Sequence, residues 1–333
     1  MAAVRLKDIA IKAGVSIATV SKVLNNKTSD IGEATIKRVE KIIEQEGYVP
    51  NAIARAMKTN RSHIIGLLIP DIRNPFFTEI SRGAEDLAYE LGYSLFLCNT
   101  DDDLEKETKY IRSLQQLRID GIIIAGSFQR NPDSEVSLAF NTPLIAIDRE
   151  IYYKNISTFI TTNNYESSKQ MVEQLYADGY RSFFYLGGPV ENSVSKERYS
   201  GTIDGLKGKK IKRFESVFGR FLLEDGYESI NKRNDIKDFD VIICGNDLIA
   251  IGVLNALNNK GIEVPKQIGV VGFDDIHLAS SFIPRLTTVK QPAYQMGADA
   301  IILIDEIIKG KEPKSIHMLK QRLVFRDTTK TNK

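Results

Sequence analysis

Two cysteines and three histidines are all that 333 residues offer for thiol or imidazole chemistry. Cys98 and Cys244 stand far apart, each at the end of an apolar run and without a Cys-x-x-Cys pairing, so buried free thiols are expected rather than a disulfide or a redox pair. His63, His277 and His317 are scattered without ligand spacing, and no metal is expected. The sequence also lacks a Gly-x-Ser-x-Gly elbow, a Walker loop and a nucleophile–base pairing, so neither an enzyme nor a cofactor is expected. No apolar run approaches the ~20 residues that span a bilayer. The first residues are polar and mixed in charge, unlike the apolar core of a signal peptide, and a cytoplasmic protein with no membrane partner is the expectation.

With 42% hydrophobic and 26% charged residues, the composition is that of a soluble globular protein, and the length exceeds one ordinary domain. Net charge is only +2, yet it is unevenly placed: residues 1–60 hold ten Lys and Arg against six Asp and Glu, while the rest hold 35 against 37. A basic end on an otherwise balanced chain suits a phosphate backbone, because each neutralised phosphate releases counterions. An excess this modest corroborates such a partner without deciding it.

Within that end, Leu6, Ile9, Ala10 and Ala13 repeat at helical spacing, Gly14 supplies the left-handed backbone that stops a helix, and Ser16 stands ready to cap the next. Val15, Val20, Val23 and Leu24 are expected to bury the second helix on the first. Ile17, Ala18, Ser21, Lys22 and Asn25 are left outward, where a recognition helix meets base edges and phosphates. Residues 32–46 form a third helix, with Ile36, Val39 and Ile43 on its apolar stripe. This is a helix-turn-helix. Beyond Gly47, Pro50 suits a helix start, and Ala52, Ala54 and Ala56 favour helix after it. A helix under three turns long is marginal alone in water and needs something to pack against. Residues 59–63 read as a linker.

From Ile64 short apolar runs alternate with helical segments. The runs are 64–69, 94–98, 121–125, 144–147, 159–161, 183–186, 241–244 and 269–272; helical periodicity fills 76–91, 104–117, 164–177, 224–233 and 247–259. Apolar strands between helices imply buried parallel sheets in a doubly wound α/β architecture, and eight strands suit two sheets better than one. The chain should cross between halves near 158–163 and return near Lys290. The expected divisions are 1–49 (helix-turn-helix), 50–63 (hinge helix and linker), 64–160 with 291–320 (first lobe), and 161–290 with 321–333 (second lobe).

Several motifs occur jointly and in order: Val15-Ser-Ile-Ala-Thr-Val-Ser21, Tyr48-Val-Pro-Asn-Ala52, Asn74-Pro-Phe-Phe77, Asp148-Arg149, Gly245-Asn-Asp247, Gly269-Val-Val-Gly-Phe-Asp-Asp275 and Pro284-Arg-Leu-Thr-Thr-Val289. With them the chain resembles the LacI/GalR family of transcription regulators over essentially its whole length, with a core similar to periplasmic sugar-binding proteins. That resemblance implies a homodimer that binds a palindromic operator, represses sugar-uptake or catabolic genes and is released by a small sugar. It also implies that Ile17, Ala18 and Lys22 face the major groove while Ser16, Thr19, Ser21 and Asn25 fix register. Ile17 and Ala18 would touch thymine methyls and Lys22 would donate to guanine. Lys22 stands where the family often has Arg, and without the planar fork it discriminates less sharply or simply meets a phosphate. Met57 occupies the position of a leucine that wedges into the minor groove, or else packs in the linker. Asn51, Ala54, Arg55 and Lys58 share its helix and would line the groove.

For the effector, the resemblance to ribose-binding proteins places Asn74, Phe76, Phe77, Asp148, Arg149, Arg198, Asn246, Asp274 and Gln291 on sugar-contacting positions, with Phe218 or Phe221 completing an aromatic sandwich. Strand C-terminal ends are where open α/β sheets bind ligands. Singly, Phe76 and Phe77 could be helix-start core residues, Asp148-Arg149 an exposed ion pair, Asp274 a turn residue, and Asn246 and Asp247 an N-cap. Ribose is the leading ligand. A sensor of another sugar such as fructose, sucrose or a different pentose, or a corepressor-dependent carbon catabolite regulator, stays open. The polar tail at 327–333 has no heptad repeat, which favours a dimer over a tail-mediated tetramer.

Overall fold

The computed structural model describes residues 4–48, 61–127, 142–151, 153 and 156–330. The chain divides into two compact units, Met1–Ser62 and His63–Lys333.

In the first unit, helices α1 (Leu6–Ala13), α2 (Ile17–Leu24) and α3 (Glu33–Gln45) surround a core of Ile9, Ala10, Ala13, Val20, Val23 and Val39. Gly14 at φ 64° ends α1, and the Val15 amide turns back to the Ala10 carbonyl at 3.1 Å. Ser16 then caps α2, its hydroxyl accepting from the Thr19 amide at 3.0 Å. Asn51, Ala54, Arg55, Met57 and Lys58, the expected hinge residues, lie outside the described residues.

The second unit begins with β1 (Ile64–Ile69), α4 (Pro75–Glu90), β2 (Ser94–Asn99), α5 (Leu104–Gln116), β3 (Gly121–Ile124), β4 (Leu144–Ile147) and β5 (Thr158–Thr162). It continues through α6 (Asn164–Ala177), β6 (Ser182–Gly187), α7 (Ser193–Leu206), β7 (Arg213–Phe218), α8 (Leu223–Asn231), β8 (Val241–Cys244), α9 (Asp247–Asn259) and β9 (Gly269–Val271). The closing elements are α10 (His277–Ser281), β10 (Thr288–Lys290), α11 (Ala293–Ile308), β11 (Ile316–Leu319) and β12 (Arg322–Val324).

Two parallel sheets result, ordered β11-β5-β4-β3-β1-β2 and β7-β6-β8-β9, with an antiparallel β10–β12 ribbon beside them. β3, β4 and β8 are buried throughout, as continuous apolar strands in a parallel sheet must be. β2 departs from that expectation. It is an edge strand, and Phe96 and Leu97 on it are exposed. β5 stays in the first sheet to Thr162, past the expected boundary at residue 160.

Helices pair closely on these sheets. A Cβ added at Gly83 of α4 would stand 2.0 Å from the Tyr294 carbonyl oxygen of α11, and one at Gly297 would stand 1.9 Å from that of Ile80. Gly226 of α8 and Gly252 of α9 meet backbone just as closely. Cys98 and Cys244 are buried free thiols, and burial pushes the Cys98 thiol up to about 11. Among the described residues no helix is long and apolar enough to cross a membrane.

The chain passes between the sheets after β5, between β10 and α11, and between β11 and β12. All three passages meet at one amide. Gln291 Oε1 accepts from Thr162 Oγ1 at 2.9 Å and from Gln321 Nε2 at 3.1 Å.

Candidate functional site

On α2, Ile17, Ala18, Lys22 and Asn25 are exposed, Thr19 and Ser21 are half-exposed, and Val20 and Val23 point into the core. Ile17 is an apolar side chain left 47% exposed on a surface helix. The Lys22 ammonium pairs with the Asp30 carboxylate, and that hydrogen bond holds Asp30 below the usual carboxylate range. An exposed pair of this kind is screened by salt and is readily exchanged for a phosphate or a base edge. Asn25 Nδ2 donates to the Ser21 carbonyl at 2.6 Å, which fixes its side chain along the helix.

In the second unit, Asn74, Phe76, Phe77, Asp148, Arg149, Arg198, Phe221, Asn246 and Asp274 come together around one narrow pocket, a cavity of about 20 Å³. It adjoins a wider mouth lined by Asp71, Arg73, Asp101, Asp102 and Arg220. Gln291 stands behind Asp274, donating to its Oδ1 at 2.9 Å. Loops at the C-terminal ends of strands from both sheets supply the walls, where open α/β sheets leave room for a ligand.

Asn74 caps α4 by accepting from the Phe76 amide at 3.1 Å, with Pro75 in the first turn. That start presents Phe76 and Phe77 edge to face, their centroids 5.1 Å apart. The Arg149 guanidinium sits 5.5 Å from the Phe77 ring centroid. Asp148-Arg149 is no exposed ion pair: both residues are buried, and Arg149 Nε lies 3.8 Å from Asp148 Oδ2. The closer partner of Arg149 is Asp102. Asp148 turns the chain at φ 61°. Burial raises its carboxyl above the ordinary range against the pull of Arg149 and Arg198, and its Oδ1 meets no partner among the described residues.

Arg198 reaches in from α7. Its Nε donates to Asn164 Oδ1 at 3.0 Å, Nη1 to the Gly245 carbonyl at 2.6 Å and Nη2 to Asp274 Oδ1 at 3.3 Å, while its plane lies 3.7 Å from the Phe273 centroid. A planar fork satisfied at three edges is held in one orientation. Asp274, at φ 111°, is raised to about 6 by burial, with Arg198 and Gln291 restraining the shift. Asn246 caps α9 through Oδ1, accepting from the Ile249 amide at 2.9 Å, and its Nδ2 donates to the Phe221 carbonyl at 3.1 Å. Asp247 is not the cap. Its carboxylate accepts from the Ile276 amide at 2.9 Å and from Thr288 Oγ1 at 2.7 Å, bracing the second sheet. Of the two candidate aromatics Phe221 lines the pocket, whereas Phe218 packs on Tyr199 at 5.0 Å.

Sequence reasoning missed Asp102, Asn164, Asn192 and Val194. Asn192 and Val194 line the same pocket, and Asp102 and Asn164 grip its two arginines. Asn192 had a legible signal as the polar residue before a helix start. That helix, α7, buries Ser195, Arg198, Gly201 and Thr202 instead of an apolar stripe, so periodicity does not mark it.

Aromatic platforms beside fixed carboxylates, amides and a guanidinium suit a neutral polyhydroxylated ligand. A helix-turn-helix unit followed by a two-sheet core with such a pocket defines a ligand-responsive DNA-binding regulator. Residues 5–51 match the family described as bacterial regulatory proteins, lacI family, and residues 62–325 match periplasmic binding proteins and sugar binding domain of LacI family. The chain belongs to the LacI family, as a DNA-binding transcriptional repressor with a sugar-binding domain. It is 36% identical to the HTH-type transcriptional regulator RegA of Clostridium saccharobutylicum, covering 98% of this chain and 99% of that one. It is 34% identical to the ribose operon repressor of Halalkalibacterium halodurans, covering 98% and 97%. The solved periplasmic binding protein/LacI transcriptional regulator from Alkaliphilus metalliredigens, complexed with D-xylulofuranose, is similar at TM-score 0.73 and 32% identity, covering 81% of this chain and 100% of that one.

Proposed function

We propose that this protein is a cytoplasmic, homodimeric repressor of pentose-uptake or catabolic genes, held on a palindromic operator until D-ribose closes its two lobes. The observation that carries the ligand is the pocket itself, where Arg198–Asp274 and Arg149–Asp148 present fixed polar edges beside Phe76, Phe77 and Phe221. The similarity to a ribose operon repressor favours ribose. A second reading, a ketopentose such as D-xylulose, is favoured by the furanose held in the Alkaliphilus protein.

Residues 50–63 act as hinge and linker between the helix-turn-helix and the core. Ile17, Ala18 and Lys22 read the major groove, Ser16, Thr19, Ser21 and Asn25 fix register, and Asn51, Ala54, Arg55, Met57 and Lys58 enter the minor groove. Self-association is supported by apolar side chains left in the open: Phe96 and Leu97 on the edge strand, and Phe282 and Ile283, the latter 97% exposed. Lobe closure shifts that face and melts the marginal hinge helices.

Fluorescence anisotropy on a palindromic operator tests the reading. Saturating D-ribose should weaken binding at least about tenfold, a coupling of ordinary allosteric size. Unchanged affinity refutes inducible release, and tighter binding replaces it with corepression.

Acidity should act on sugar and fold in opposite directions. A sugar donating hydroxyls to Asp274 binds the ionised carboxylate, so affinity is present above a pKa of about 6 and is lost below it. Calorimetry at pH 5 should find affinity about tenfold weaker than at pH 7.5. Without sugar, the raised carboxyl binds its proton more tightly folded than unfolded, so its ionisation costs stability as pH rises from 3.8 through about 6.

A further inference from the structure

We propose that Asp30 is a positioning residue for sequence reading: it holds the Lys22 ammonium so that a base edge is accepted and a phosphate refused. It thereby gives a lysine part of the discrimination that an arginine carries in its planar fork. The inference rests on the reading above that Lys22 faces the major groove, and adds to it a second residue and a rule of selection.

Lys22 stands in the last turn of α2, and its ammonium pairs with Asp30 from the loop that follows. The backbone of that loop is pinned on both sides of the carboxylate. Asn26 at φ 53° reverses the chain, the Lys27 amide donates to the Lys22 carbonyl at 2.9 Å, and the Ile31 amide closes a turn on the Thr28 carbonyl at 2.9 Å. Ile31 then packs on the core of the first unit. Both partners stay open to a duplex, their side chains 46% and 59% exposed. Glu33, the next carboxylate along the chain, is taken by Lys37 at 2.7 Å and does not compete for Lys22.

A lysine ammonium is a point charge on a flexible stem, which a phosphate oxygen satisfies as readily as a base does. It also carries three protons. With one given to Asp30, two remain for O6 and N7 of a guanine, whose edge is uncharged. A phosphate brought to the same ammonium sets its own charge beside the Asp30 carboxylate, and the two repel. For Lys22 to neutralise that phosphate it must leave Asp30 behind as an unmatched anion on the DNA-facing surface, so the contact gains little from counterion release. Asp30 therefore weakens binding to random sequence more than binding to a matched site.

Fluorescence anisotropy of the full chain tests this on three kinds of duplex, across a series of KCl concentrations: a palindromic operator selected from random duplexes, its single base-pair variants, and a random duplex. Asp30→Asn should tighten binding to the random duplex about three- to tenfold and steepen the log–log salt dependence by about one to two units, since each protomer of a dimer loses a carboxylate. Preference for guanine should fall about three- to tenfold at a single position of each half-site, the same position that Lys22→Ala relaxes. In the Lys22→Ala background, Asp30→Asn should raise operator and random affinity alike and leave the preference where Lys22→Ala put it. Asp30→Glu should retain the wild-type preference, and Asp30→Ser should reproduce Asp30→Asn. Asp30→Asn relaxing no position, or every position equally, overturns the role of Asp30 while leaving Lys22 as a base reader. Lys22→Ala relaxing no position overturns the Lys22 reading and this inference with it.

Discussion

Arg198→Met should eliminate measurable sugar binding and cost the core about 3–5 kcal/mol, the usual consequence of removing one member of a buried ion pair. The guanidinium answers Asp274, the Gly245 carbonyl and Asn164 at once, so its loss strands two acceptors and leaves Asp274 with Gln291 alone. Asp274, already raised to about 6, would lose the main charge that restrains its shift and move higher still, which weakens it as an acceptor. Arg198→Lys should recover part of the stability through charge and little of the affinity, because an ammonium cannot span the same three acceptors. Thermal melting and calorimetry read the two effects separately. Full ribose affinity in Arg198→Met would remove this residue from the site.

On the DNA side, Met57→Gly should lower specific operator affinity about a hundredfold or more, since unstacking a base step costs a few kcal/mol and only an inserted side chain recovers it. Binding to random DNA should persist with its salt dependence, because Lys and Arg supply that term. Energy transfer between the ends of an operator duplex should show the bend relaxing in the variant. An unchanged bend would make Met57 a packing residue.

How much was legible follows from what each element buries. β1, β3, β4 and β8 are apolar from end to end because both faces are covered, and such runs stand out in a sequence. β7, written Arg213-Phe-Glu-Ser-Val-Phe218, lies at a sheet edge with one wet side and carries no such run. α7 hides for the opposite reason: between Val194 and Leu206 its inward face is made of serine, threonine, glycine and an arginine. Arg198 was therefore found through motif resemblance rather than periodicity. Asp102 escaped both routes, because its place comes from a contact far away in the chain, with Arg149; Asn192 is legible as a helix cap, and its place in the pocket wall is not. The turn at Gly14 and the cap at Ser16 were legible because both ends of that logic are local.

Glycine contacts between α4 and α11, and again between α8 and α9, seat backbone directly on backbone. Layers bolted together that tightly have no slack side chains to absorb a push. Each half therefore behaves as a stiff plate, and work done by a ligand in the gap cannot dissipate inside either one. It must emerge at the strands that join them, where Gln291 holds all three in register.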